Sequence, residues 1–248
     1  MLTEERYATI LRILEEKKAV TVLELTKALH ASESTVRRDL TALHKSGRLY
    51  KVYGGATALD NNYSTAEEDM QTKQDLHPEE KVAIAHKAAS LIGRNDFVYL
   101  DAGTTTLHLI DFLPDTSATF VTNGIQHASR LAAKGCKVFI LGGKLKAATE
   151  AVVGTEALNN LKCYNFTKGF FGTNGISQNS GFSTPDSSEG IIKGAALQRC
   201  TKAYVLADQS KFNKIFPISF ANISSATIIT GHLLDRKYRD YTTIIEGE

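Results

Sequence analysis

A chain of 248 residues with 42% hydrophobic and 23% charged residues has an ordinary soluble globular composition, and it is long enough for one small and one medium domain. Its formal net charge of +2 excludes a generic polyanion binder, so any affinity for nucleic acid must come from a local basic patch. Three cysteines (Cys136, Cys163, Cys200), far apart and without CxxC or metal-ligand spacing, predict reduced, buried thiols with no metal and no cofactor; the charged, amphipathic N-terminus and the lack of a membrane-length apolar run predict a cytoplasmic protein.

Tyr7, Ile10, Leu11 and Leu14 share one helical face, ringed by Glu4, Glu5, Arg6, Arg12 and Lys17, which predicts a first helix ending near Lys18. Residues 19–21 read as a short extended piece. Val22, Leu25, Ala28 and Leu29 form the apolar side of a second helix ending near His30. After a turn over 31–33, a third helix is expected over 34–46, with Ser32 and Ser34 as N-cap candidates and Gly47 at the stop. Val36, Leu40 and Leu43 stack into an apolar seam. Arg38, Thr41 and Lys45 fall opposite, with Arg37 on the flank. Alone, that pattern is most commonly a surface helix with two exposed arginines. Paired with the preceding helix across a short turn, it makes a helix-turn-helix whose second helix presents a basic ridge.

Residues 48–53 then alternate as a strand should, Gly54-Gly55 signals a tight hairpin turn, and 56–59 can return, which would make a wing. Lys51 and Tyr53 would face the DNA backbone or minor groove. From Ser32 to Ala56, Arg37, Arg38, Lys45, Arg48 and Lys51 stand against Glu33 and Asp39, a surplus of three positive charges that fits a sequence-reading module with salt-dependent affinity. The candidate DNA-binding residues are Ser32, Ser34, Thr35, Arg37, Arg38, Thr41, Lys45, Lys51 and Tyr53. Ser34, Arg38 and Thr41 are placed for base edges, and Arg37, Lys45 and Lys51 for phosphates.

The polar, aperiodic stretch over 60–65 predicts a linker, with 66–76 able to form a short charged helix, so the division runs 1–59, linker 60–76, and 77–248. In the third segment Pro78 suits a helix first turn, and Val82, Ala85, Ala89 and Ile92 continue that helix to Gly93. Strands are expected over 97–100, 119–121, 138–141, 169–171, 204–207 and 227–229, and helices over 105–113, 125–134, 150–161 and 188–200. Continuous apolar strands alternating with helices predict a mostly parallel, doubly covered α/β sheet.

Five of those strands run into loops of glycines, hydroxyls, amides and lysines, at the sheet end where ligands usually bind. Any one such loop could be only a tight turn, but five together predict a polyol-phosphate pocket. Gly103 with Thr104, Thr105 and Thr106 at a helix start offers amides and hydroxyls to an anion, and Lys211 adds a point charge. Asp101, Asn123, Asn174 and Asp186 can hold sugar hydroxyls, and Gly143, Lys144 and Asp208 complete the candidate effector set. Lys73 and Lys81 flank the entry. GxxxxGK is absent, which argues against nucleoside triphosphate binding, and Gly172-Thr-Asn-Gly175 does not complete GxGxxG. His108 reads as a packed or surface imidazole.

The run Ser-Glu-Ser-Thr-Val-Arg-Arg-Asp-Leu over 32–40, followed by Gly47 and Tyr53-Gly54-Gly55-Ala56, resembles the N-terminal signature of DeoR-type bacterial transcriptional repressors. Asp101-Ala-Gly-Thr-Thr-Thr106, Gly142-Gly-Lys-Leu145, Gly172-Thr-Asn-Gly-Ile176, Gly181-Phe-Ser-Thr-Pro-Asp186, Glu189, Lys193 and Ala207-Asp-Gln-Ser-Lys-Phe212 resemble that family's sensor domain, so the likeness spans nearly the whole chain. It implies a winged helix-turn-helix whose Arg37/Arg38 helix enters the major groove, and an α/β sensor domain similar in fold to ribose-5-phosphate isomerase. It also implies a phosphorylated sugar as effector. Thr230-Gly231 departs from the Thr-Asp frequent in the family, which puts the outer contact of that loop in doubt. Within the family the chain resembles the fructose-operon repressors of Gram-positive bacteria, implying fructose 1-phosphate. The expectation is a sugar-operon repressor, not an enzyme, acting on operator DNA as a dimer or higher homo-oligomer, because one reading helix spans few base pairs. The alternative is a sugar-phosphate isomerase-like enzyme with an appended DNA-binding domain, since Asp101, Asp186, Asp208 and Lys211 supply acid and base types. The residues leave repression or activation open.

Overall fold

Helix-spaced apolar residues gather the first part of the chain around its own core, and a separate pair of cores covers the rest. The computed structural model describes residues 3–17, 19–46, 48–52, 54–57, 72, 74, 76–114 and 117–247, and the chain divides into units Met1–Asn62 and Tyr63–Glu248.

In the first unit, α1 (Thr3–Lys17) buries Ile10 and Leu14. It leads through β1 (Ala19–Thr21) into α2 (Val22–Leu29), which buries Val22, Leu25 and Leu29. Thr21 and Glu24 form a reciprocal capping box at the start of α2, and His30 ends it in the left-handed region at φ 48°. Ala28, expected on the apolar side, is exposed beside Lys27, because the buried stripe runs 22, 25, 29. Helix α3 (Glu33–Lys45) buries Val36, Leu40 and Leu43 in the same core, together with Leu49 and Ala56. Strands β2 (Tyr50–Val52) and β3 (Gly55–Thr57) pair antiparallel, and β3 also pairs with β1, giving the order β1-β3-β2. The extended piece at 19–21 is therefore a strand of the wing.

Val52 pairs with Gly55, so Gly55 belongs to the strand and not to the turn. Gly54 takes φ 80°, as a primed turn requires. At Gly55 a Cβ would stand 2.1 Å from the Val20 carbonyl oxygen, so close backbone approach demands glycine there. Gly47, Tyr53, residues 58–59, the linker at 60–65 and most of the helix expected over 66–76, Lys73 included, lie outside the described residues.

The second unit opens with α4 (Pro78–Ser90), which has proline in its first turn. It continues through β4 (Phe97–Leu100), α5 (Thr104–Leu109) with a 3-10 extension over Ile110–Phe112, β5 (Thr119–Thr122), α6 (Ile125–Ala133) and β6 (Lys137–Ile140). A hairpin of β7 (Lys144–Lys146) and β8 (Ala151–Val153) leads into α7 (Thr155–Leu161) and β9 (Phe166–Gly172). Then come β10 (Gly175–Ser177), β11 (Gly181–Thr184), α8 (Ser187–Leu197), β12 (Cys200–Leu206), β13 (Ile218–Ala221), β14 (Thr227–Thr230) and β15 (Ile244–Glu246). Seven strands form one sheet in the order β15-β14-β12-β9-β4-β5-β6, and every neighbouring pair is parallel. Strands β10, β11 and β13 form a separate antiparallel sheet.

Successive strand residues feed opposite cores. Val98, Leu100 and Phe170 pack with Ile84, Ala88, Leu107 and Leu131 from α4, α5 and α6 on one face. Tyr99 and Phe171 pack with Ala157, Leu161, Ile192 and Ala196 from α7 and α8 on the other. Burial on both faces explains why these strands read as continuous apolar runs.

Four sequence expectations change here. Val82 is exposed at 40%, because α4 turns Lys81, Ile84, Ala85, Ala88 and Ala89 inward instead. Residues 151–153 are strand β8, and the helix after them starts at Thr155. The seventh strand of the main sheet, β15, and the antiparallel strands β7, β8, β10, β11 and β13 were not anticipated. Cys163 is exposed and Cys136 and Cys200 only partly buried, with all three thiols free; burial pushes Cys200 up to about 12. Among the described residues no helix is long and apolar enough to cross a membrane.

Candidate functional site

The first unit carries a basic helix face. Ser32 caps α3, accepting from the Thr35 amide at 3.3 Å, and its Oγ lies 2.9 Å from both Ser34 Oγ and Thr35 Oγ1. Three hydroxyls thus cluster at the helix start, where free amides favour anions. Arg37 and Arg38 are both exposed. Arg37 Nη2 reaches Glu33 Oε2 at 3.3 Å, a solvated i,i+4 pair worth little. Thr41 Oγ1 donates to the Arg37 carbonyl at 2.7 Å and accepts from Lys51 Nζ at 2.8 Å, so the wing lysine rests on the helix. Lys45 is exposed at the far end.

Asp39 does not face outward as the charge count assumed. It is 1% exposed and held by Arg6 from α1, Nε to Oδ2 at 2.7 Å and Nη2 to Oδ1 at 3.1 Å. That fork ties α3 to α1 and removes one negative charge from the outer face. The Arg6 guanidinium is raised by this hydrogen bond.

The second unit carries a cavity at the carboxyl ends of β4, β9 and β12, where the strand order reverses between β4 and β9. The space, its open mouth included, is about 600 Å³. Gly103, Thr104, Thr105, Asn174, Asp208 and Lys211 line it, as the strand-end loops suggested. So do Lys81, Ala102, Thr149, Gly172, Thr173, Glu189, Lys193 and Leu206. Lys81 joins because the buried face of α4 takes in Lys81, Ile84 and Ala88 beside the expected Ala85 and Ala89. Glu189 and Lys193 sit four apart on α8 and so share a face, a spacing legible in the sequence but not used for the pocket. Thr149 reaches in from the β7–β8 turn and donates to Glu189.

The remaining candidates support the cavity or stand apart from it. Asp101 is 1% exposed; its Oδ2 accepts from Lys193 Nζ and from the Gly172 amide at 2.9 Å, while Oδ1 has no hydrogen-bond partner among the described residues. Burial pushes its carboxyl up and the Lys193 ammonium pulls it back, so its carboxylate form depends on that lysine. Thr106 is fully buried and faces His127, with Oγ1 2.6 Å from the Asp101 carbonyl and 3.1 Å from His127 Nε2. Asn123 accepts from the Ala102 amide at 2.9 Å and so holds the cavity loop from behind. Asp186 caps α8 and pairs with Lys146 at 3.1 Å, and the same ammonium lies 3.2 Å from Glu189. Gly143 and Lys144 are exposed on the β7 hairpin and do not line the cavity. His108 does not line it either; it lies 3.9 Å from Asp111.

One further carboxylate binds the rim together. Glu80, in the first turn of α4, accepts from the Gln209 amide at 3.0 Å. Burial raises its pKa, the amides of Gln209 and Gly231 oppose that, and Asp208 adds to it.

The arrangement can attract a small anion, through ammonium groups and first-turn amides, and can accept hydrogen bonds from hydroxyls through Glu189, Asp208 and Asn174. Among the described residues no group of three or more His, Cys, Asp or Glu is placed to hold a metal.

Comparison with known proteins adds the following. The DeoR-like helix-turn-helix domain matches residues 6–62, and the DeoR C terminal sensor domain matches residues 76–232. The uncharacterized HTH-type transcriptional regulator FruR of Bacillus subtilis is 43% identical over 97% of this chain and 96% of its own. The lactose phosphotransferase system repressor of Streptococcus mutans is 32% identical over 99% of this chain and 100% of its own. Among solved structures, ribose 5-phosphate isomerase A of Methanocaldococcus jannaschii aligns over 54% of each chain with a TM-score of 0.42 and 13% identity. Matches to both domain models and relatives aligned nearly end to end establish that this chain belongs to the DeoR family of DNA-binding transcriptional regulators.

Proposed function

We propose that this protein represses a sugar-utilisation operon and is released from its operator by a phosphorylated sugar, with fructose 1-phosphate the leading effector. The observation that carries the reading is one cavity that gathers Lys81, Lys193 and Lys211 with the Gly103–Thr105 turn and with Asn174, Glu189 and Asp208. A phosphate would take the amides of Thr104 and Thr105 and a lysine ammonium, and sugar hydroxyls would take the amide and carboxylates. Asp101, Thr106 and Asn123 would act from behind as positioning groups. Gly143, Lys144 and Asp186 would contribute only at the periphery.

On the DNA side, Arg38, Ser34 and Thr41 would meet base edges, and Arg37, Lys45 and Lys51 phosphates, with Ser32, Thr35 and Tyr53 completing the surface. Domain limits of 1–59 and 77–248 joined by a linker, a cytoplasmic location and at least a dimer on repeated half-sites belong to this reading. Repression follows the role that relatives such as the lactose phosphotransferase system repressor carry in their names. The effector would shift the operator-binding equilibrium by no more than its differential affinity for the two states.

Calorimetry with a panel of hexose and pentose phosphates, followed by mobility shift on the DNA upstream of the chain's own gene cluster, tests the reading. Binding of fructose 1-phosphate that lowers operator affinity is expected. A protein that binds none of the panel refutes the effector assignment. A second reading, isomerase chemistry, draws on the carboxylates of Glu189 and Asp208 in the same cavity as Lys211. Turnover of a sugar phosphate by the pure protein would favour it.

A further inference from the structure

Gly231 was the one departure from the family pattern visible in the sequence, and the structure shows what occupies the space. A Cβ at Gly231 would lie 2.7 Å from Glu80 Cγ and 2.8 Å from Glu80 Oε1. The Glu80 carboxylate therefore sits against the residue where a side chain would otherwise project. From there it accepts from the Gln209 amide at 3.0 Å.

Gln209 is itself tied to the same loop: its Nε2 lies 3.3 Å from Thr230 Oγ1 and also donates to the His232 carbonyl. Asp208 caps the 3-10 turn Gln209–Lys211 by accepting from the Ser210 amide at 2.9 Å. Lys81, next to Glu80 along α4, and Lys211, two residues after Gln209, both line the cavity. Glu80 does not line it.

We propose that Glu80 is a positioning residue that locks the Lys81 wall of the cavity to the Asp208–Lys211 wall, using the space left by Gly231. This rests on the reading of the cavity as an anion site. The lock fixes the separation of two ammonium groups on different elements, so an anion meets them already in place and loses less binding energy to ordering the loop. It also ties ligand occupancy to the first turn of α4.

The full-length protein tests this with fructose 1-phosphate and glucose 6-phosphate as probes. In Glu80→Ala, calorimetry should show at least a ten-fold weaker Kd for the better probe, and hydrogen exchange at the Gln209 amide should speed up without ligand. Glu80→Gln keeps one carbonyl oxygen for that amide and should recover affinity to within about three-fold. Gly231→Ala pushes on Glu80 and should weaken binding in the wild-type background, yet add little in the Glu80→Ala background, because the two act through one contact. Wild-type affinity in Glu80→Ala, alongside lost affinity in Lys211→Ala, overturns the lock and leaves the anion site standing. Additive losses from Glu80→Ala and Gly231→Ala overturn it as well. A wild-type protein that binds neither probe nor inorganic phosphate overturns the anion reading and, with it, this proposal.

Discussion

Acidification should destabilise the second unit through His127 at a higher pH than that at which its lysine-paired carboxylates Asp96 and Asp186 titrate. His127 lies on α6 with 1% exposure, its Nε2 3.1 Å from Thr106 Oγ1 behind the cavity turn. Burial pushes its imidazole from 6.5 down to about 3, and nearby Arg130 and Lys193 also disfavour a second positive charge. The unfolded chain takes up this proton near 6.5 and the folded chain only near 3, so between those values the unfolded state holds more protons. Stability is therefore complete above about 6.5 and is lost as pH falls, at about 1.4 kcal/mol per unit once well below that value. At pH 5 the loss relative to pH 8 is roughly 2 kcal/mol, a large share of an ordinary domain's stability. Asp96 and Asp186, which burial pushes up but which hydrogen bonds from Lys168 and from the Glu189 amide respectively pull below the ordinary value, add their own losses only at more acid pH. His108 is also lowered by burial, so the wild type must be compared with a variant. Urea titrations followed by circular dichroism at pH 5, 6, 7 and 8, on wild type and His127→Gln, give the slope of stability with pH. The wild-type slope should exceed the variant's by close to one proton near pH 5. Equal slopes would show that His127 takes its proton equally in both states, which would refute the inferred burial of a neutral imidazole.

Three other outcomes follow from the same geometry. Arg38→Ala should weaken specific operator binding by about 1–3 kcal/mol in a mobility-shift titration; unchanged affinity removes Arg38 from the reading surface. Lys211→Ala should leave operator affinity intact while abolishing the effector response, and full sugar-phosphate affinity in that variant would show the cavity assignment to be wrong. Asp101→Asn leaves the buried Lys193 ammonium without its counter-charge and should cost about 3–5 kcal/mol of stability in urea; a loss under about 1 kcal/mol would mean that the pair is not ionised in the folded protein.

Much of the reading unit was legible because its elements are local. Val36, Leu40 and Leu43 recur at helical steps and are all buried, and Ser32 caps the helix they define. The orientation of Asp39 was not legible, because its partner Arg6 lies 33 residues away and nothing in the spacing links them. In the second unit, six strands of the main sheet were readable from apolar runs, since burial on both faces leaves continuous hydrophobic stretches. Strands β7 (Lys-Leu-Lys), β10 (Gly-Ile-Ser) and β11 (Gly-Phe-Ser-Thr) were not, because each carries a single large apolar residue among lysines, glycines and hydroxyls, and β8, β13 and β15 were missed as well.

The cavity divides along the same line. Its strand-end loops announced Gly103, Thr104, Thr105, Asn174, Asp208 and Lys211, because small polar residues after buried strands mark the sheet's ligand edge. Thr106 belongs to the same run of threonines yet turns inward to His127, since consecutive helix residues point about 100° apart and only the tertiary packing selects which faces the opening. The sequence by itself determined the element types, the two-part organisation and the chemical character of both surfaces, all of which follow from local periodicity and residue type. Tertiary structure alone decided that Asp39 faces Arg6, that Lys193 joins Asp101, and that Glu80 fills the place beside Gly231. Those contacts join residues far apart in the chain, and no local preference records which distant partner the packed fold will supply.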